Sequence, residues 1–226
     1  MTVLAIAHRG DPIAHTENTA AAFAAAVAAG ADMIELDVRG TSDGEAVVVH
    51  DPTLERIWGL ARHVAEMRAD EVRGLGIPDL GQALAAIPEH VQVMVDYEER
   101  AVAEPALEAV RAAGALGRCV FSGDCYDGHR ALRAAATDVR IACTWASDAR
   151  CPDELLDELG AEFWNPSGNV LARWPDEVER MHARGTRVSV WTIDRREDMQ
   201  LFLGLGVDAV ITNRVSDLVG LLERVC

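Results

Sequence analysis

The stretch MIELDVRGTSDGEAVVVHD at residues 33–51 holds two apolar runs that are separated by a short polar turn. The first run, Met33–Val38, and the second run, Ala46–His50, both have the composition of buried strands. The turn-rich sequence TSDG at 41–44 leaves too few residues between them for a helical crossover. The second run is therefore predicted to be an additional strand in the loop that follows the first.

Apolar strand-like runs alternate with helical segments along the whole chain. Besides Met33–Val38, strands are predicted at Val3–Ala7, Val91–Tyr97, Arg118–Ser122, Arg140–Trp145, Ala161–Pro166, Arg187–Ile193 and Val207–Thr212. Helices are predicted near 19–29, 79–87, 101–114, 127–136, 152–159, 175–184, 195–204 and 214–224. Continuous apolar strands that alternate with helices indicate parallel strands covered on both faces.

This pattern predicts an α/β protein whose eight strands and eight helices form a single (β/α)8 (TIM) barrel. One domain is expected over residues 1–226 of the chain, with Ala46–His50 as a short extra strand outside the repeat. Residues 51–78 are the longest irregular connection, with a weak helix around 62–70. We expect this segment to form a small cap loop after strand two, on the catalytic face.

Composition excludes several classes of protein. Half of the 226 residues are apolar, and no apolar run approaches the length of a membrane helix. The net charge of −16 argues against nucleic-acid binding and against stable association with an anionic membrane. The five scattered cysteines, Cys226 among them, lack metal-site spacing, and the first apolar segment leads straight into a histidine rather than a signal cleavage site. These features predict a cytoplasmic protein with reduced thiols, and they leave its oligomeric state open.

Polar residues stand at the ends of the predicted strands, where the chemistry of such barrels lies. His8 and Arg9 follow the first strand. Glu35 and Asp37 end the second strand, and their spacing of two points both side chains to the same face. Other strands end in Asp96, Ser122, Asn165, Trp191, Thr192, Thr212 and Asn213. Polar groups that gather at one rim from distant parts of the chain are difficult to explain as folding requirements, so we predict a functional site.

The chain resembles the glycerophosphodiester phosphodiesterases in an ordered series of short motifs. These are AHRG at 7–10, ENT at 17–19, IELDV at 34–38, TSDGEAVVVHDPTLER at 41–56, IPDLGQAL at 77–84, VSVWTID at 188–194 and GVDAVITN at 206–213. The resemblance implies a TIM barrel that uses a divalent cation, calcium or magnesium. It also implies hydrolysis of glycerophosphodiesters to glycerol 3-phosphate and an alcohol.

The resemblance also implies roles for individual residues. His8 and His50 match the acid–base pair of the family, and Arg9 matches its phosphate-binding arginine. Glu35 and Asp37 match two of its metal ligands.

Four positions depart from the family pattern, and one of them is Thr16, which stands where the family has a proline before ENT. Asp96 stands where the family has a glutamate ligand, and Asn213 stands where it has an aspartate. Glu98 replaces a lysine, which reverses the charge at a position that contacts phosphate. The chain has no lysine, so only an arginine could supply a compensating fixed cation, with Arg39 and Arg100 as the nearest candidates in sequence.

The residue types fit chemistry on a phosphate ester. Three neighbouring carboxylates, Glu35, Asp37 and Asp96, cannot all stay ionised without a cation, so they imply one bound Mg²⁺ or Ca²⁺. Histidine suits proton transfer near neutral pH. We predict that His8 activates the attacking oxygen and that His50 protonates the leaving alkoxide, although the reverse assignment is open. The planar guanidinium of Arg9 would bind two phosphate oxygens.

Other residues have two interpretations. Trp191 either packs against the barrel or forms a wall of the substrate site, and it is included among the predicted substrate-binding residues. Glu17 and Asn18 are interpreted as fixing the start of the first helix rather than contacting substrate.

The leading hypothesis is a metal-dependent enzyme that hydrolyses a small-molecule glycerophosphodiester. One alternative is a lyase that stops at a cyclic phosphate, or a hydrolase of another phosphodiester. Another is a catalytically weakened barrel that binds a phosphorylated metabolite, an alternative that rests on Glu98.

Overall fold

A computed structural model describes residues 3–224, so Cys226 lies outside the described residues. The strands are β1 (Leu4–His8), β2 (Met33–Gly40), β3 (Ala46–Val48), β4 (Thr53–Leu54), β5 (Leu60–His63), β6 (Gln92–Asp96), β7 (Cys119–Gly123), β8 (Arg140–Trp145), β9 (Phe163–Pro166), β10 (Arg187–Val190) and β11 (Ala209–Thr212). Eight of them pair in parallel in the order β1, β2, β6, β7, β8, β9, β10 and β11, and β11 pairs again with β1. This closed eight-stranded barrel confirms the predicted fold.

Most of the helices follow barrel strands and cover them from outside, and the second and third helices are short and lie in the connection after β3. They are α1 (Ala20–Ala28), α2 (Glu55–Trp58), α3 (Ala69–Arg73), α4 (Leu80–Ala86), α5 (Arg100–Ala112), α6 (Tyr126–Ala135), α7 (Asp153–Leu159), α8 (Gly168–Arg173), α9 (Glu177–Ala183), α10 (Arg196–Leu205) and α11 (Val215–Leu222), with 3-10 turns at Val64–Glu66 and Leu116–Arg118. The short helix α8 was not predicted; it begins where the Ser167 side chain accepts a hydrogen bond from Val170 N. Among the described residues, no helix is both long and apolar enough to cross a membrane.

Apolar side chains fill both faces of the barrel wall. Inside the barrel, Ile6, Met33, Met94 and Phe163 pack with four further residues from the other strands. The outward-facing residues of the same strands pack against the helices in one large cluster. Because both faces are buried, the strands have nearly continuous apolar sequences, which is the property that made them predictable.

The cap between β2 and α4 agrees with its prediction only in part. The predicted extra strand is confirmed as β3, which pairs antiparallel with β2. β4 pairs with β5 in a small hairpin that the sequence pattern did not indicate. The weak helix predicted around 62–70 is confirmed only in part: residues 60–63 form β5, a 3-10 turn follows at Val64–Glu66, and α3 begins at Ala69. A separate apolar cluster accounts for this arrangement, because it packs residues of the cap against β3 and its extension: Val47, Val49, Leu54, Val64, Met67, Val72 and Ile77.

The parallel register brings the predicted site residues to one rim. His8 lies opposite Glu35 across β1 and β2. Asp37 lies opposite Asp96 across β2 and β6, and Asp96 lies opposite Ser122 across β6 and β7. His8, Asp96 and Ser122 lie at or next to the carboxyl ends of their strands, and Glu35 and Asp37 lie where β2 stops pairing with its barrel neighbours and continues to pair with β3. This is the face on which TIM barrels carry their functional groups.

Candidate active site

A cavity of about 170 Å³ opens at the carboxyl rim of the barrel. Every predicted catalytic, metal-binding and substrate-binding residue lines it: His8, Arg9, Glu35, Asp37, His50, Asp96 and Trp191. The lining also includes Glu98, Ser122, Asp124, Thr144 and Asn165. A larger open groove of about 1090 Å³ runs between α4 and α5, but small and apolar side chains make up most of its wall and none of the predicted site residues reaches it.

Two of the three clustered acids are strongly destabilised as anions. Burial, with repulsion from Asp37 and Asp96, raises the pKa of Glu35 well above its ordinary value. Burial and the nearby Asp37 also raise the pKa of Asp96 to about 7. Ionisation of all three acids would therefore concentrate uncompensated negative charge at the rim of β2 and β6.

The carboxylate oxygens of Glu35, Asp37 and Asp96 are chemically suited to bind a hard divalent cation. These side chains do not form a complete ligand shell by themselves. Within residues 3–224, no group of three His, Cys, Asp or Glu side chains converges closely enough to be a preformed metal site. The N–H of Arg9 donates to Glu35 Oε2 at 2.9 Å, and Asn18 Nδ2 donates to Asp37 Oδ2 at 2.7 Å. Carboxylate oxygens buried beside one another are the ligands that Mg²⁺ and Ca²⁺ prefer, and a cation would remove their repulsion.

His8 is held in one orientation by a chain of polar groups. Its Nδ1 lies 2.8 Å from Asn213 Oδ1, and Asn213 Nδ2 donates to Asp194 Oδ2 at 2.7 Å. Because the carboxylate of Asp194 only accepts, the amide oxygen of Asn213 must face His8, so His8 Nδ1 carries the proton. His8 Nε2 then carries no proton, so its lone pair can accept one, and it lies 4.0 Å from Glu35 Oε2. Burial and the nearby Arg9 lower the pKa of His8, which keeps the ring neutral near pH 7.

His50 is oriented by the residue that follows it. Its Nδ1 donates to Asp51 Oδ1 at 2.6 Å, because an ionised carboxylate can only accept. Hydrogen bonds from Arg56 outweigh burial and lower the pKa of Asp51 to about 2. Asp51 therefore stays ionised, and the second ring nitrogen of His50 is left for proton exchange in the cavity.

Arg9 adopts a backbone conformation that is unusual for its residue type. Its φ of 61° is in the left-handed region, which costs about 1–3 kcal/mol for a residue with a side chain. The following Gly10 also has a positive φ, and a Cβ there would lie 2.6 Å from the backbone of Ala22. This turn brings the guanidinium to Glu17, with Nη1 3.0 Å from Oε1, and to Asp37, with Nε 3.1 Å from Oδ2. The Nε–Asp37 contact is a charge contact without hydrogen-bond alignment.

Glu98 lines the cavity, and its carboxylate forms an ion pair with Arg39, which also pairs with Glu99. Its Oε2 accepts from Arg39 Nη2 at 2.5 Å, and Arg39 Nη1 donates to Glu99 at 2.7 Å. The Nε of Arg39 also donates to the main-chain oxygen of His50 at 2.8 Å. Of the two arginines predicted to compensate, Arg39 therefore pairs with Glu98, whereas Arg100 pairs with Glu104.

The interpretation of Glu17 and Asn18 as residues that fix the first helix is wrong. Thr19 caps α1, because its side chain accepts from Ala22 N. Asn18 instead binds Asp37, to which its Nδ2 donates and from whose main-chain N–H its Oδ1 accepts, and Glu17 accepts from two arginines.

Sequence analysis also missed two residues that support the site. Asp194 was not assigned a role, although it follows the polar end of the seventh barrel strand and its position there was a usable signal. Arg56, in the quoted motif HDPTLER, was equally unassigned, and its spacing of five from Asp51 gives no helical or strand periodicity.

Comparisons with known proteins identify the family. A model of the glycerophosphoryl diester phosphodiesterase family matches residues 8–217. The chain is 29% identical to a glycerophosphodiester phosphodiesterase of Caldanaerobacter subterraneus, over 99% of both sequences. In fold it is similar to the crystal structure of a glycerophosphodiester phosphodiesterase from Thermotoga maritima, with a TM-score of 0.86, 24% identity and coverage of 98% and 99% of the two chains. It is also similar to an Oleispira antarctica phosphodiesterase in complex with the product sn-glycerol-3-phosphate, with a TM-score of 0.87, 19% identity and coverage of 98% and 97%.

The family match over nearly the whole chain defines the class, an enzyme of the phosphodiesterase type, and confirms the class expected from the sequence. The structural neighbours share the barrel fold that carries the cavity. The chain belongs to the glycerophosphoryl diester phosphodiesterase family.

Proposed function

We propose that this protein hydrolyses glycerophosphodiesters to glycerol 3-phosphate and an alcohol. One observation carries the proposal: a single cavity at the barrel rim is lined by two histidines, one arginine and the three clustered acids, in a chain of this family. The Oleispira antarctica relative, a phosphodiesterase in complex with sn-glycerol-3-phosphate, supports the choice of product.

The proposed cofactor is one divalent cation, Mg²⁺ or Ca²⁺, held by Glu35, Asp37 and Asp96. The raised pKa values of Glu35 and Asp96 support this assignment, because they reflect carboxylates that are buried beside one another without enough positive charge around them. When bound, such a cation supplies Lewis-acid stabilisation of negative charge on phosphate oxygens. Oxygen ligands favour these two metals over zinc, which prefers nitrogen and sulfur.

The two histidines transfer the protons of the reaction. His8 is the proposed base, because the lowered pKa keeps it neutral and the hydrogen bond to Asn213 leaves Nε2 as the acceptor. His8 Nε2 takes the proton of the attacking hydroxyl, whose oxygen forms a new bond to phosphorus. The bond from phosphorus to the leaving alcohol breaks, and His50 donates a proton to the departing alkoxide oxygen. The attacking hydroxyl belongs either to water, which gives glycerol 3-phosphate directly, or to the glycerol part of the substrate, which gives a cyclic phosphate. In the second case water then attacks phosphorus and breaks one ring P–O bond, which gives glycerol 3-phosphate.

Arg9 and Trp191 are the proposed substrate contacts. The guanidinium of Arg9 lies at the cavity wall and carries a fixed charge that matches phosphate oxygens. Trp191 is fixed by its own hydrogen bond, in which Nε1 donates to Asn165 O at 2.9 Å, so its ring forms a rigid part of the wall. A rigid aromatic face suits a glycerol backbone or an organic head group.

The decisive experiment measures product release from the metal-free and metal-loaded protein. The purified chain is treated with chelator and then supplied with Mg²⁺ or Ca²⁺, with glycerophosphocholine and glycerophosphoethanolamine as substrates. Phosphorus NMR follows both glycerol 3-phosphate and any cyclic phosphate. We expect metal-dependent glycerol 3-phosphate in the wild type and its loss in Glu35→Gln. A persistent cyclic product would indicate a lyase, and no turnover with either metal and either substrate would contradict the proposal.

A further inference from the structure

Arg56 connects two segments of chain that carry proposed catalytic residues. It lies in the short helix α2 of the cap and binds two carboxylates at once. Its Nε and Nη2 donate to Asp51, at 2.5 Å and 3.0 Å. Its Nη1 and Nη2 donate to Glu17, at 3.0 Å and 2.7 Å. One guanidinium therefore joins the loop after β1 to the segment after β3.

Each of these carboxylates in turn holds a proposed catalytic or substrate-binding side chain. Asp51 Oδ1 accepts from His50 Nδ1 at 2.6 Å, and Glu17 Oε1 accepts from Arg9 Nη1 at 3.0 Å. The four contacts form a continuous path from the ring of His50 to the guanidinium of Arg9. Arg56 itself does not line the cavity, so it acts on substrate only through the residues that it holds.

The ion pairs of Arg56 contribute more to the orientation of Asp51 and Glu17 than to the stability of the fold. The side chain of Arg56 is 48% exposed, and exposed ion pairs contribute about 0–1 kcal/mol to stability. Its planar fork nevertheless fixes the direction of both carboxylates, because each receives two hydrogen bonds in one plane. Without this fork, Asp51 would keep only its hydrogen bond to His50 and Glu17 only its hydrogen bond to Arg9, so each carboxylate would fix its partner less strictly.

We propose that Arg56 is a positioning residue, which fixes the ring of His50 through Asp51 and the guanidinium of Arg9 through Glu17, so that proton transfer and phosphate binding are coupled. This inference rests on the proposed function for its effect on turnover. Its structural part, the orientation of His50, can be measured without any turnover.

Kinetics of Arg56→Gln test the effect on the reaction. Supporting groups of this kind change activity by about 10–100-fold, so we expect kcat to fall by about that factor and KM to rise several-fold. Arg56→Lys retains the charge but loses the fork, and an intermediate loss is expected. The matched control is Arg62→Gln, since Arg62 is 42% exposed in the same cap and pairs with Glu71 at 3.1 Å. It removes an ion pair of the cap and should leave kcat unchanged.

A double-mutant cycle tests the coupling. Glu17→Gln removes the negative charge and one of the two acceptor oxygens of the carboxylate that Arg9 and Arg56 share, without touching His50. If Arg56 acts through Glu17, the effects of Arg56→Gln and Glu17→Gln on kcat/KM will be strongly non-additive. Additive effects would overturn the coupling.

Nitrogen NMR of ¹⁵N-labelled histidine provides the readout that does not need activity. The His50 signals are assigned with His50→Gln, and we expect a single form with the proton on Nδ1 in the wild type and in Arg62→Gln. Arg56→Gln should show a mixture of tautomers or an altered Nδ1 shift. An unchanged His50 spectrum in Arg56→Gln would overturn the proposal, whether or not the wild type turns over. Absence of wild-type turnover together with the expected spectral change would contradict only the proposed function.

Discussion

Removal of divalent cations should make the stability of this protein fall as the pH rises, through Asp96 and its neighbour Glu35. The pKa of Asp96 is raised from 3.8 to about 7, so the folded protein keeps a proton that the unfolded chain has already released. The free energy of unfolding therefore decreases between about pH 4 and about pH 7 and stays low above that range. A bound cation at these carboxylates would remove the penalty, because it neutralises the charge that the fold buries.

The size of the effect follows from the pKa difference. About three pKa units correspond to about 4 kcal/mol for the isolated group, of which somewhat more than half falls between about pH 5 and about pH 8. Water in the cavity raises the effective dielectric constant around Asp96, so we expect a loss of about 2 kcal/mol in this interval. For a chain of this length, that corresponds to a fall in Tm of about 4–8 °C.

Thermal unfolding in the presence of chelator, at pH 5 and at pH 8, measures this change. Because other groups also titrate in this range, the prediction compares the change in Tm of the wild type with that of Asp96→Asn. The variant has no charge to bury at position 96. Asp148→Asn is the control, since the Asp148 side chain is 83% exposed and should leave the wild-type pH dependence intact. Millimolar Mg²⁺ or Ca²⁺ at pH 8 should restore the Tm of the wild type but not that of Asp96→Asn.

Two outcomes would refute the reasoning. If wild type and Asp96→Asn lose the same stability between the two pH values, burial of the charged Asp96 carboxylate does not lower the free energy of unfolding. If neither cation changes the Tm of the wild type at pH 8, the carboxylates do not form the proposed metal site.

Three further predictions concern the histidines. His8→Ala and His50→Ala should each lower kcat by about 10²–10⁴-fold while circular dichroism stays unchanged, and near wild-type rates in both would contradict the acid–base roles. Asn213→Asp places a carboxylate 2.8 Å from His8 Nδ1, which favours the charged ring, so the acidic limb of the kcat/KM profile should move to higher pH. Tyr97→Phe removes the hydroxyl that lies 2.5 Å from Nδ1 of the buried His129 and should cost about 1–3 kcal/mol in urea unfolding; an unchanged midpoint would show that this hydrogen bond contributes nothing.

The barrel was predictable because its strands are buried on both faces and therefore have continuous apolar sequences. The cap was not predictable in the same way. Strands β4 and β5 have two and four residues, too few for a periodic pattern, and their pairing depends on apolar contacts with β3. The helix α8 has only six residues and was missed for the same reason.

The residues that line the site were predictable, whereas the contacts between them were not. Charged groups at strand ends are visible in the sequence, and the barrel rule places them at one rim. The supporting hydrogen bonds join residues whose separation in the sequence matches no helical or strand period. Examples are Asp194 with Asn213, 19 residues apart, and Glu17 with Arg56, 39 residues apart. The charge of Glu98 could likewise be interpreted only when its pairing with Arg39 was known.

The closure of the barrel determines the stage of folding at which this protein would become active. His8 and Asn213 are 205 residues apart, and they meet only because β11 docks beside β1. A nascent chain that lacks the last strand would already hold both imidazoles and all three acids, yet nothing would fix the ring of His8. Turnover would then begin only when β11 docks beside β1. An activity assay during refolding would therefore measure the rate at which the complete barrel forms, and not the rate of the earlier collapse of the chain.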